Sequence, residues 1–205
     1  MAMTTRRLLY GATGLAAVAV GTLAAATLGR KSTLQVYVPV NAPATPVATP
    51  GAGLLPISRL VATDPPAPLP AFGFTDALGA PHTIAEFAGK GVVLNLWATW
   101  CAPCVAELPS LVALAGRLAP EGIVVLPLST DRGGARVVRE FYDSHGINGL
   151  GVWLDPKGAG AEALGAHGLP TTLILDRQGR ERGRLEGGAD WGSDAAVERI
   201  RALVG

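Results

Sequence analysis

Both cysteines of this 205-residue chain lie in the octapeptide WATWCAPC, residues 97–104, where only Ala102 and Pro103 separate Cys101 from Cys104. Closing so short a loop removes little entropy from an unfolded chain, so a disulfide here is poorly suited to stapling the fold. Two sulfurs at this spacing suit chemistry instead: one attacks a disulfide and the other releases the captured partner. An apolar run, Val92–Ala98, precedes the pair, and Val105, Leu108, Leu111, Val112, Leu114 and Ala115 follow it with helical spacing. Cys101 is therefore expected where a buried strand gives way to a helix. There, unpaired N–H groups and the macrodipole stabilise a thiolate and lower the thiol pKa, which makes Cys101 the nucleophile. Cys104 falls one turn later on the same face, within reach of a mixed disulfide on Cys101. Pro103 is tolerated because the first helical turn offers its N–H no acceptor.

Two other uses of the pair compete with exchange chemistry. A zinc site would need further ligands, and His82, His145 and His167 are scattered without ligand spacing. A structural disulfide would suit an oxidising compartment. Trp97 and Trp100 favour exchange, because flat apolar surface beside a sulfur suits the docking of another chain, although tryptophans also fill cores.

Upstream, Arg6 and Arg7 precede an uncharged stretch from Leu8 to Leu28. As a helix at about 1.5 Å per residue it would reach the thickness of a bilayer core. Ala24-Ala25-Ala26 also offers a small-residue cleavage site, so residues 1–30 read as a membrane anchor or a signal sequence. Residues 31–70 carry nine of the 16 prolines and read as an extended tether, unable to pair readily as strands. Residues 71–205 form the globular domain. They hold 12 bases and 15 acids, which lacks the electrostatic footprint of a nucleic-acid partner.

Within that domain, Val92–Ala98, Ile123–Leu128 and Thr172–Leu175 read as strands and Ala135–Ser144 as a helix. Asp176–Gly179 reads as a turn into a strand at Arg182–Leu185, and Ser193 caps a last helix ending near Leu203. Alternating strands and helices closed by a hairpin and a helix describe an α/β fold with a mixed sheet.

The stretch VVLNLWATWCAPCVAELP at residues 92–109, with HGLPTTLILDRQG at 167–179, resembles thioredoxin-like thiol-disulfide oxidoreductases of the TlpA and ResA type, and TlpA most. The resemblance extends over most of residues 66–204, including the tail GGADWGSDAAVERIRAL. It implies a thioredoxin fold with an N-terminal hairpin extension, anchored in the bacterial inner membrane and facing the periplasm. It also implies no cofactor beyond the Cys101–Cys104 disulfide. Pro170 matches the family's cis-proline opposite the cysteines, and Leu169 before it offers main chain to a client. Trp97, Trp100, Ala102, Pro103, Leu169 and Pro170 together make up the expected client-contact surface. Glu107 matches an acid kept near the site. Three residues after Cys104, it is placed either to exchange a proton during catalysis or to sit solvated on the helix. Ordinary thioredoxins bury an aspartate in the strand before the cysteines; this chain has Asn95, which cannot titrate.

The expected function is reduction of client disulfides, with electrons supplied by a membrane thiol relay. The resemblance places the clients among cysteine pairs of proteins receiving copper or haem, in cytochrome oxidase copper-centre assembly or cytochrome c maturation, and Trp191 favours the copper branch. Two alternatives remain. A peroxidase of the peroxiredoxin kind shares the fold but places a threonine three residues before its cysteine, after a proline, whereas Thr99 is two before Cys101. A Cu(I) carrier would use both thiolates as soft ligands, but no Met-rich or His-rich tract accompanies them.

Overall fold

The structure, a computed structural model, describes residues 53–205. The expected anchor over Leu8–Leu28 and the first part of the expected tether lie outside the described residues. In chain order the elements are β1 (Val61–Pro68), β2 (Gly73–Asp76), β3 (Pro81–Thr83), β4 (Gly91–Trp97) and α1 (Ala102–Leu118). They continue with β5 (Ile123–Ser129), α2 (Gly134–His145), β6 (Trp153–Leu154), α3 (Ala159–Ala163), β7 (Thr171–Leu175), β8 (Arg180–Glu186) and α4 (Asp194–Val204). One eight-stranded mixed sheet runs in the order β1-β8-β7-β4-β5-β6-β2-β3. β4 pairs parallel with β5 and antiparallel with β7.

Every element expected from periodicity is present, with ends shifted by a residue or two. The implied hairpin is β2–β3, registered Phe74 against His82 and closed by Asp76 Oδ1, which accepts from Leu78 N and Ala80 N. Against β5, β6 pairs only Trp153 with Leu128 and Leu154 with Ser129, too short a segment to carry a period. That shortness also lets β5 contain Pro127, because no β6 ladder residue stands opposite it.

The tether expectation needs correcting at its C-terminal end. Residues 61–68 form β1, antiparallel to β8 at the sheet edge. Pairing holds at Val61–Ala62 and again at Ala67–Pro68, with a register shift between, and Pro65 and Pro66 occupy the unpaired gap. An edge strand tolerates prolines where no ladder donor is required, which composition alone does not reveal.

Alternation along β4 divides the core. Val93 and Trp97 pack with α1's Leu108, Leu111, Leu114 and Leu118 and with α4, while Val92, Leu94 and Leu96 pack with Phe74, Leu126, Leu128, Leu173 and Leu175 on the other face. Each fully buried leucine contributes about 1.5–3 kcal/mol, which fixes α1 against the sheet and so fixes its N-terminus.

Behind that N-terminus runs the segment following β8. Leu55 N donates to Gly188 O at 2.7 Å, and Leu55 bridges Ala189. A Cβ built on Gly188 would stand 2.8 Å from Pro103 O and 3.0 Å from Leu54 Cδ2. The first contact is main chain and cannot swing aside. Gly188→Ala is therefore expected to cost about 1–3 kcal/mol by overpacking, read as a lower urea midpoint; a midpoint equal to the parent's would show that α1 can back away from this segment without cost.

Candidate active site

Cys101 is the N-cap of α1, in extended conformation, and its Sγ accepts from Cys104 N at 3.3 Å. Pro103 lies in the first turn, where its missing N–H costs no helical bond. The two cysteines are joined as a disulfide, with Cα atoms 5.2 Å apart. Cys101 is 6% exposed and Cys104 is fully buried, so the first cysteine is the more accessible of the two. The N–H aimed at Cys101 and the helix dipole behind it both favour its thiolate.

The loop leading into Cys101 is clamped from β5. Asp131, buried, accepts from Thr99 N at 2.9 Å, Thr99 Oγ1 at 2.8 Å and Ser129 Oγ at 2.8 Å. Thr130 N donates to Trp97 O, and Cys101 N donates to Ala98 O. Nothing in the sequence marks Asp131 as part of the site, because its partner Thr99 lies 32 residues away.

Glu107 is not solvated. It is fully buried one turn beyond Cys104, and three donors converge on it: Asn95 Nδ2 at 2.8 Å, Ala189 N at 2.9 Å and Trp191 Nε1 at 2.8 Å. The register of β4 against β7 places Thr172 opposite Asn95, whose Nδ2 also donates to Thr172 Oγ1 at 2.9 Å. Asn95, which cannot take a proton, thus holds the side chain that can. Burial dominates the acid's titration and pushes it up to about 7, against the downward pull of the three donors. Trp191, Ala189 and Thr172 contribute to the site with no local signal in the sequence. Trp191 stands 84 residues from Glu107, and only the closed fold brings them together.

The residues expected to touch clients separate into two groups. Trp97 is fully buried, stacked on Tyr142 at 5.6 Å and tilted against Phe141 at 5.7 Å, so its assignment to client contact is corrected. Alternation along β4 turns it inward under α2. Trp100 is 71% exposed, and Ala102 and Pro103 are exposed beside it. Leu169 is half-buried and packs against the cluster that includes both cysteines. The Leu169–Pro170 peptide is cis. Leu169 main-chain groups make no hydrogen bond to another described residue. His82, His145 and His167 lie apart, each beside its own neighbour. Among the described residues no group of three or more His, Cys, Asp or Glu is arranged to hold a metal.

Residues 65–182 match the AhpC/TSA family. Among characterised relatives, the thiol-disulfide oxidoreductase ResA of Geobacillus thermodenitrificans is 30% identical over 118 residues, which cover 58% of this chain and 67% of that protein. Of solved structures, a thiol:disulfide interchange protein of the thioredoxin family from Chlorobium tepidum superposes with a TM-score of 0.54 at 25% identity, covering 70% of this chain and 99% of that one. A secreted thiol-disulfide isomerase from Corynebacterium glutamicum superposes with a TM-score of 0.59 at 24% identity, covering 71% of this chain and 92% of that one. The second of these likenesses speaks to the fold alone.

Titration of Glu107 has a consequence for stability. An unfolded glutamate titrates near 4.5 and Glu107 in the fold at about 7, so the folded state holds the extra proton between those values. The contribution of Glu107 to stability is then greatest below the unfolded value, falls by about 3 kcal/mol as pH rises to the folded value, and is level above it. Urea midpoints of the oxidised chain across this range should show the fall, and Glu107→Gln should lack it. Parallel profiles for the two proteins would mean that Glu107 titrates normally.

Proposed function

The chain belongs to the AhpC/TSA family and is a thioredoxin-fold thiol-disulfide oxidoreductase, and from that premise we propose that it reduces client disulfides outside the cytoplasm by two-step exchange at Cys101 and Cys104. The observation that carries this reading is the pairing of a cysteine at the α1 N-cap, the more accessible of the two, with a fully buried cysteine one turn short of a buried acid.

In the first step the Cys101 thiolate attacks a client disulfide; a bond forms between Cys101 Sγ and one client sulfur, and the other client sulfur leaves as thiolate. In the second, the Cys104 thiol gives its proton to Glu107 and attacks Cys101 Sγ. The Cys101–Cys104 disulfide forms, the second client thiolate leaves, and two electrons have passed to the client. A titration point near neutrality lets Glu107 take the proton here and return it when a dithiol donor re-reduces the pair. Trp100, Ala102 and Pro103 present the client with exposed surface, while the unpaired main chain of Leu169 before Pro170 can pair with an extended client segment.

Residues 1–30 supply a membrane attachment or an export signal, and a membrane thiol relay supplies the electrons. Clients are cysteine pairs awaiting metal or haem in cytochrome assembly, and the Trp191-containing tail supports the copper-centre branch. The peroxidase alternative is weakened because the Thr99 hydroxyl and N–H are committed to Asp131.

Trapping tests the mechanism. Cys104→Ala in the full chain should accumulate mixed disulfides through Cys101, a set that Cys101→Ser loses entirely and that Trp100→Ala reduces severalfold. Equal capture by Cys101→Ser would sink the assignment of the attacking sulfur. In the reduced parent, Cys101 should alkylate at neutral pH faster than a free cysteine, whose pKa is about 8.5.

A further inference from the structure

Three donors reach Glu107, and they divide unequally between its oxygens. Oε2 accepts from Ala189 N at 2.9 Å and Trp191 Nε1 at 2.8 Å, groups that only donate. Oε1 has one partner, Asn95 Nδ2 at 2.8 Å. The same nitrogen donates to Thr172 Oγ1 at 2.9 Å, whereas Asn95 Oδ1 is buried with no hydrogen-bond partner. Both partners of Nδ2 can reverse their role, since a hydroxyl donates as well as accepts and a protonated carboxyl oxygen donates.

We propose that Trp191 and Asn95 are positioning residues for Glu107: the indole and Ala189 N–H groups confine the acid's proton to Oε1, and the Asn95 carboxamide turns over when that proton arrives. With Glu107 ionised, Nδ2 faces Oε1 and Thr172 Oγ1, as observed. With Glu107 protonated, Oδ1 takes that position and accepts from both hydroxyls. One half of the amide is unpartnered in either orientation, so the cost on that side is similar and the charge on Glu107 decides between them.

Among the described residues, the groups that shift the titration of Glu107 include no cation that would hold it ionised. Cys104 comes from α1, Asn95 from β4 and Thr172 from β7; Ala189 and Trp191 follow β8, and Asp190 between them is exposed, accepting from Gly192 N. This inference rests on the reading that Glu107 exchanges a proton with Cys104. In that step the proton moves from Cys104 Sγ to Glu107 Oε1, so the turned Asn95 marks a sulfur that has become a thiolate.

The test uses the oxidised full chain in detergent micelles, labelled so that the Glu107 carboxyl carbon and the Asn95 side-chain amide are followed by NMR from about pH 5 to about pH 9. The Asn95 signals should move with the same midpoint as the carboxyl. Glu107→Gln presents an amide N–H in place of the protonated oxygen at every pH, so its Asn95 signals should stay at the parent's low-pH values. Trp191→Phe should raise the midpoint by roughly one pH unit by removing a donor to the anion. Asn95 signals that ignore the Glu107 titration, or that sit at the parent's high-pH values in Glu107→Gln, overturn the switch. An unmoved midpoint in Trp191→Phe overturns the role of the indole. Should Trp191→Phe fail to fold, the parent's Trp191 indole N–H signal decides the role of the indole: it should move with the Glu107 midpoint, and an indole signal that ignores that titration overturns the role. Stopped-flow resolution of a Cys101 mixed disulfide separates the two readings: a coupled NMR transition whose midpoint is absent from the rate profile removes Glu107 from the proton step and leaves the switch standing.

Discussion

A single buried carboxylate ties this domain together. Glu107 sits in α1, and its partners come from β4, from the segment after β8 and from the tryptophan that follows. Withdrawing an anion from water carries a large penalty that only converging donors offset. The helix that carries the cysteines can therefore occupy one position, the one in which all three donors meet the acid. The leucines of α1 hold it against the sheet, and the acid sets its position along the sheet.

The choice of donors sets the chemistry. A cation beside Glu107 would hold it ionised throughout the working range, good for anchoring the helix and useless for moving protons. Neutral N–H donors offset only part of the cost of burial, and the result is an acid that titrates near neutrality. The arrangement also separates two demands on one small region. Cys101 needs an environment that favours charge, and the helix N-terminus provides it. Cys104 is fully buried, where charge is costly, and Glu107 lies one turn along the same helix.

The parts of this design visible in the sequence are those carried by local pattern. Strand, helix and N-cap around Cys101 follow from apolar spacing and from the helix rules that admit Pro103, and the buried face of α1 follows from the same spacing. The family resemblance puts Glu107 near the site, yet its burial is not legible, because a glutamate at that helix position reads equally as solvated. What decides the matter is Trp191, 84 residues away, together with a backbone N–H that has no sequence signature at all. Trp97 erred in the opposite direction: adjacency to a cysteine suggested a client surface, while strand alternation sends its ring under α2 against Tyr142. The prolines of β1 misled for a similar reason, since composition records missing donors but not whether a ladder needs them.

The β7–β8 hairpin joins the two ends of the site. Leu169 and Pro170 lead into β7, and the segment that supplies Ala189 and Trp191 leaves β8. Across the mouth of the hairpin, Gly187 N donates to Pro170 O at 2.8 Å, and inside it Thr172 meets Asn95. The cis Leu169–Pro170 turn and the donors that hold the acid thus flank one hairpin, cross-linked at its mouth by a main-chain hydrogen bond. Displacing Pro170 would drag on the segment that pins Glu107 Oε2, so the geometry of the cis-proline turn and the proton affinity of the buried acid are mechanically shared rather than independently set.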